Sequence, residues 1–189
     1  MINRADIESA VAVLRRGGVI VYPTDTVWGI GCDATNSDAV RRVFEIKRRA
    51  DAKALISLVS DVAMLERWVD DIPDVAYELV DAAVNPLTVV YDHPRGLAPE
   101  LLAGDGSAAM RVCADAFCRA LCRGLRKPVV STSANVSGSR TPKCFSEISE
   151  DILGAADYVA QTRREDAGGA RPSSVIKLSS GGLISIIRK

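Results

Sequence analysis

The sequence predicts an α/β domain built on a mixed sheet with flanking helices, as a single domain over residues 1–189. Three observations carry this. Short β-branched runs alternate with segments of helical period. Residues 174–178 and 183–187 flank Ser179-Ser180-Gly181-Gly182, a hairpin signal that brings an antiparallel element into the sheet. Two of the apolar runs also end in hydroxyls. Val19 to Val21 leads into Tyr22-Pro23-Thr24-Asp25-Thr26-Val27-Trp28-Gly29, and Val129-Val130 leads into Ser131-Thr132-Ser133-Ala134-Asn135-Val136-Ser137-Gly138. Strand ends of this kind are where open α/β sheets bind ligands.

In chain order, residues 6–16 place Ile7, Ala10, Val11 and Leu14 at helical spacing, and Gly17-Gly18 supplies the stop. Residues 19–22 form a strand, ended by Pro23 because proline has no N–H for the ladder. Residues 30–32 are extended. Asn36 or Ser37 caps a helix that carries Val40, Val43, Phe44 and Ile46. Residues 54–59 are strand-like. Ser60 caps a helix to about Trp68, and Pro73 stands early in another that runs to about Val84. Residues 87–91 form a strand and 92–107 a long loop. Residues 109–112 form a strand, 115–123 a helix, and 129–132 a buried strand. Residues 146–153 are helical, 158–160 extended, and 161–171 a polar loop.

Composition narrows the function classes. The chain is 48% hydrophobic and 25% charged, as in ordinary globular proteins. Lys+Arg and Asp+Glu both total 24, which argues against a generic nucleic-acid coat or a polybasic membrane binder. No apolar run approaches the ~20 residues of a membrane span, and the N-terminus lacks a signal-peptide core. The five cysteines have no disulfide-framework spacing, so reduced thiols and a cytoplasmic location are expected. Cys113, Cys118 and Cys122 read as small buried apolar groups, because three thiols without a fourth ligand make a weak zinc signal. The only histidine, His93, falls in the long loop and reads as solvated. There is no phosphate loop, no dinucleotide fingerprint and no nucleophile elbow.

Cations remain to be explained. Arg41, Arg42, Lys47, Arg48, Arg49 and Lys53 fall on one helix and the turn after it. Lys47 and Arg49 are at the helix end, where alternate residues of an extended segment face the same way. They are expected to reach one side while Arg48 faces water, with the fold surviving loss of any of the three. Arg111 is a lone charge in an apolar run and needs a partner or a cavity.

The hydroxyl segments, Lys47-Arg48-Arg49 and Pro172-Ser173-Ser174-Val175-Ile176 occur in an order that resembles the YrdC-type threonylcarbamoyl-AMP synthase family, in its short form with a single YrdC-like domain. The family's Lys-x-Arg and Ser-x-Asn signatures are met by Lys47, Arg49, Ser133 and Asn135. The resemblance implies a twisted mixed sheet with a large concave groove. It also implies a reaction that joins L-threonine, bicarbonate and ATP into threonylcarbamoyl-AMP and releases pyrophosphate. Carried over, the catalytic set is Lys47, Arg49, Ser133 and Asn135. Threonine would meet Thr26, Arg111, Ser131 and Ser173. ATP would meet Arg49, Lys53, Ser107, Ser133, Asn135, Thr141 and Arg188. Mg²⁺ would come with ATP, with no metal ligand from protein side chains. Downstream tRNA-modification proteins would be partners.

The chain departs from the family at Ala50 and Ala54, where proline is frequent, at Leu58, where some members place a polar contact, and at Lys177, where an acid is common. These departures leave open a paralogue that acts as an RNA-binding module for tRNA or double-stranded RNA. Only 5% of residues are aromatic and the net charge is zero, so any such RNA binding is expected to be weak and lost with salt.

Overall fold

The computed structural model describes residues 3–48, 55–167 and 172–188. In order, the elements are α1 (Arg4–Arg15), β1 (Ile20–Tyr22), β2 (Gly29–Gly31), α2 (Ser37–Ile46), β3 (Ile56–Val59), α3 (Val62–Leu65), α4 (Asp74–Ala82), β4 (Leu87–Tyr91), β5 (Ala108–Val112), α5 (Ala116–Leu125), β6 (Val129–Ser133), α6 (Glu150–Ala155), β7 (Tyr158–Val159), β8 (Ser174–Leu178) and β9 (Ile184–Arg188). Short 3-10 turns at Pro99–Leu101 and Phe145–Glu147 interrupt two of the longer connections. Among the described residues no helix is long and apolar enough to cross a membrane.

Side-chain caps start most of the helices. Asn3 accepts from Asp6 N, Asn36 from Ala39 N at 3.0 Å and Asp115 from Cys118 N at 2.9 Å. Asn36, rather than Ser37, is therefore the cap of α2. α1 buries Ala10, Val11 and Leu14, and α5 buries Phe117, Cys118, Leu121 and Cys122. These are the apolar faces by which the two helices pack together.

Two helix expectations need correction. Asp61, not Ser60, caps α3: its carboxylate accepts from Met64 N at 2.9 Å, while Ser60 donates to Asp61. That helix also ends at Leu65, well short of Trp68. Pro73 is the N-cap residue of α4 rather than a first-turn residue, and it has no side-chain acceptor to offer. The segment 146–153, expected as one helix, divides into a 3-10 turn and α6.

The nine strands run β7-β1-β2-β6-β3-β5-β4-β8-β9 across one mixed sheet. β1–β2, β2–β6, β6–β3, β5–β4 and β8–β9 are antiparallel, whereas β1–β7, β3–β5 and β4–β8 are parallel. β1 and β2 are buried on both faces, and the central strands carry the largest share of the core. β9 is the outer edge strand, with Ile184, Ile186 and Ile187 exposed.

β2 lies so close to β6 that only glycine fits at position 31. A Cβ there would stand 1.7 Å from the Val130 carbonyl oxygen. The same oxygen accepts the buried Tyr22 hydroxyl at 2.9 Å. Gly31→Ala should therefore lower folding stability by about 3 kcal/mol, the upper end of overpacking costs. Gly154→Ala is the control. Nothing lies within 4 Å of its Cβ position, and helix propensity favours alanine by about 1 kcal/mol. Urea midpoints for the two variants are expected to move in opposite directions, and equal midpoints would remove the close-approach argument.

Candidate active site

The site opens at the C-terminal end of β6, which lies between β2 and β3. Val129, Val130 and Ser131 pair with β3, and Ser131 stands opposite Ile56 at that strand's start. Thr132 and Ser133 pair on the other side with Ile30 and Gly29 of β2. Beside this end of β6 lies a cavity of about 230 Å³, with residues of β2, β3, β5 and β6 in its lining. The structure brings Thr26, Arg111, Ser131, Ser133, Thr141, Ser173 and Arg188 to its lining.

Arg111 projects from β5 and is only 3% exposed. Asp25 of the first hydroxyl loop lies 3.0 Å from its Nη2, which supplies the partner that a buried charge requires. Its Nε is buried without a hydrogen-bond acceptor among the described residues. Ser173 sits deeper: its hydroxyl shares a 2.9 Å hydrogen bond with Thr88, and its carbonyl accepts from Arg188 Nη2 at 2.9 Å. Thr24 organises the first loop. Its hydroxyl oxygen accepts from Thr26 N at 3.0 Å, shares a hydrogen bond with the Thr26 hydroxyl, and donates to the Val27 carbonyl at 2.7 Å. Thr26 is thereby presented to the cavity.

Lys47 lies behind the second hydroxyl loop and does not line the cavity. It is the C-cap residue of α2 and is 2% exposed. Its ammonium donates to the carbonyls of Ser133 at 2.6 Å and Asn135 at 2.7 Å, and its own carbonyl accepts from Ser137 N. Lys47 thus holds the Ser-x-Asn segment from both ends. Arg48 is exposed, as expected, but for a different reason. Lys47 is still helical and Arg48 turns at φ +50°, so helix termination, and not strand alternation, separates the two side chains. This burial corrects the premise that Lys47, like Arg48, is an exposed charge whose loss leaves stability nearly unchanged. Arg49 and Lys53 lie outside the described residues.

Asn135 turns its Nδ2 onto the carbonyls of Val136 and Ser139, while its buried Oδ1 has no hydrogen-bond partner among the described residues. Ser107 does not line the cavity, because Asp105 holds both its hydroxyl and its amide. The Lys177 ammonium, together with Ser107, keeps the Asp105 carboxyl well below the usual carboxylate range. The lysine that departs from the family pattern therefore serves the Asp105–Ser107 turn.

Four of the five cysteines are packing groups, and the fifth, Cys144, is only partly buried. Cys32, Cys113, Cys118 and Cys122 are buried free thiols. Burial pushes the Cys118 thiol well up, and a hydrogen bond to Cys113 together with burial does the same for Cys122. Among the described residues no group of three or more His, Cys, Asp or Glu side chains could hold a metal ion. His93 is exposed. The sequence did not single out Asp25 as the partner of Arg111, nor Arg163, which lines the space outside the first hydroxyl loop. A search for the partner of Arg111 within the hydroxyl loops would have found Asp25, whereas Arg163 carries no local signal.

Comparison with known proteins agrees with this fold. The Sua5/YciO/YrdC family model, described as telomere recombination, matches residues 12–189. A threonylcarbamoyl-AMP synthase of Xanthomonas campestris pv. campestris is 35% identical over 189 residues, covering 97% of this chain and 99% of the relative. The crystal structure of P. abyssi Sua5 complexed with L-threonine superposes with a TM-score of 0.82 at 28% identity, over 94% of this chain and 52% of that one. The crystal structure of E. coli YciO gives a TM-score of 0.86 at 26% identity, over 100% of this chain and 91% of that one. The chain belongs to the Sua5/YciO/YrdC family.

Proposed function

We propose that this chain makes threonylcarbamoyl-AMP from L-threonine, bicarbonate and ATP, releasing pyrophosphate, for threonylcarbamoyladenosine formation in tRNA. The observation that carries the reading is the cavity beside the end of β6. It joins a buried guanidinium, Arg111, to the hydroxyls of Thr26, Ser131 and Ser173, and has Ser133, Thr141 and Arg188 on the same lining. A threonine carboxylate would supply the acceptor that Arg111 Nε lacks, and its hydroxyl and ammonium suit the surrounding oxygens. Ser133, Asn135, Thr141 and Arg188 would face ATP, with Arg49 and Lys53 as further phosphate contacts. Magnesium would arrive with the triphosphate and would neutralise part of its charge.

No covalent nucleophile is required in this reading. A carbamate oxygen formed on threonine attacks the α-phosphorus in line, and pyrophosphate leaves. The chain's part is to align the two substrates and stabilise the charge that develops. Lys47 contributes by fixing the segment that bears Ser133 and Asn135. The product is reactive, so tRNA-modification proteins of the cytoplasm are the expected consumers. Binding to bulk RNA is expected to be weak and to collapse with salt.

The test is incubation with ATP, Mg²⁺, bicarbonate and labelled threonine, followed by a search for the adenylated product. Absence of both product and nucleotide binding would overturn the reading. The same assay separates two neighbouring arginines. Arg49→Ala should lower the rate by about 10²–10³ through loss of a phosphate-directed donor. Arg48→Ala should retain activity and stay within about 0.5 kcal/mol of wild type in stability, since among the described residues Arg48 pairs with exposed Asp151, at 3.6 Å. Equal losses in the two variants would mean that the inward side has been misassigned.

A further inference from the structure

The first hydroxyl loop has open space on both sides. Thr26 and Val27 line the site cavity, and the same two residues line a second cavity of about 430 Å³ on the outside of the loop. Packing alone therefore does not hold the loop in place, and something else must. The outer cavity is bounded by Lys143, Arg163 and Asp166 as well as by residues of the loop.

The segment 160–167 crosses this side of the molecule under firm anchorage. Buried Asp6 of α1 accepts from Gln161 N at 3.0 Å, Thr162 N at 2.7 Å, the Thr162 hydroxyl and the Tyr158 hydroxyl. Arg164 lies 4.5 Å over the Phe145 ring, which in turn packs 5.0 Å from Trp28. Arg163 sits between these anchors at φ +61°, a left-handed backbone that a non-glycine residue adopts where its surroundings over-determine it. From there its Nη2 donates to the Thr24 carbonyl at 2.8 Å, and its Nη1 meets Asp115 Oδ2 at 2.7 Å. Asp115 is itself fixed, since its other oxygen caps α5.

We propose that Arg163 is a positioning residue for the amino-acid end of the site: it clamps the Thr24 carbonyl to the start of α5. It thereby sets the place of Thr26 and of the Asp25–Arg111 pair. Arg163 does not line the inner cavity and touches no substrate in this arrangement; it acts through Thr24. The assignment rests on threonine being the ligand of that cavity, as proposed above.

Arg163→Gly tests it, because glycine suits the left-handed backbone while the clamp is lost. The Michaelis constant for threonine is expected to rise about tenfold or more, while that for ATP stays within about twofold. Guanidinium ion at millimolar concentration should restore part of the threonine affinity, and sodium ion should not. Threonine and ATP constants that worsen together, without rescue, would reduce Arg163 to a fold-stabilising residue and overturn the proposal. Hydrogen exchange of residues 23–28 without any substrate tests the clamp independently. Exchange should quicken in Arg163→Gly, and unchanged exchange would overturn the proposal whatever the wild type binds. Wild-type protein that binds no threonine, with a loop that still loosens in the variant, would count against the threonine reading and leave the clamp in place.

Discussion

Lys47→Ala is expected to slow synthesis by about 10²–10³ and to lower folding stability by about 3 kcal/mol. The two effects share one cause. The buried ammonium is a charged donor to two backbone carbonyls of the Ser133–Asn135 segment, at 2.6 and 2.7 Å. Without it both oxygens lose a donor at about 1–3 kcal/mol each, and a lysine-sized space opens behind the loop. Displacement of Ser133 and Asn135 from the ATP side should reduce the rate by about 10²–10³. Lys47→Met is the informative companion, since it restores the aliphatic stem but not the donor. It should regain part of the stability and none of the activity. Denaturant midpoints and pyrophosphate release, measured on both variants, check this. A Lys47→Ala protein that melts like wild type would place the lysine in water, contrary to its 2% exposure.

Arg111→Met should be similarly severe, through the partner it leaves behind. Asp25 is 14% exposed in its side chain and faces the guanidinium at 3.0 Å. Removing one member of a buried pair costs about 3–5 kcal/mol, because the remaining charge has no counter-ion. Threonine binding should disappear at the same time. The double variant Arg111→Met/Asp25→Asn separates the two consequences. Its thermal melt is expected to return most of the way to wild type, while calorimetry with threonine still shows no heat. Threonine bound by the double variant would show that another group receives the carboxylate.

The local elements were legible because each is set by neighbouring residues. β4 runs Leu87–Tyr91 as its β-branched run implies, and the Ser179–Gly182 turn joins β8 to β9. The lone arginine in β5 announced that it needed a partner or a cavity, and it has both. What could not be read depends on residues far apart. β6 intervenes between β2 and β3, which are separated in sequence only by α2 and its flanking loops, although β6 itself comes after β4, β5 and α5. The burial of Lys47 follows from that insertion, since the carbonyls it meets belong to the end of β6 and the turn after it. A basic cluster on a helix gives no sign of which member is enclosed. The Asp61 cap lost to Ser60 in the reading because adjacent Ser and Asp are both good caps, and only backbone geometry chooses between them. Arg163 had no motif at all; its importance comes from what stands opposite it.

The order of strands also has a consequence for how the chain is made. β1 and β2 leave the ribosome well before their sheet neighbours, β7 and β6. A nascent hairpin of residues 20–31 must therefore wait with both edges bare and with Ile20, Val21 and Ile30 open to solvent. Pairing over such sequence distances is slow, and exposed apolar edges are where partly folded chains associate. Translation, before Ser133 has emerged, is thus the interval in which this protein most needs a chaperone, and the side chains then at risk are those that later make the centre of its core.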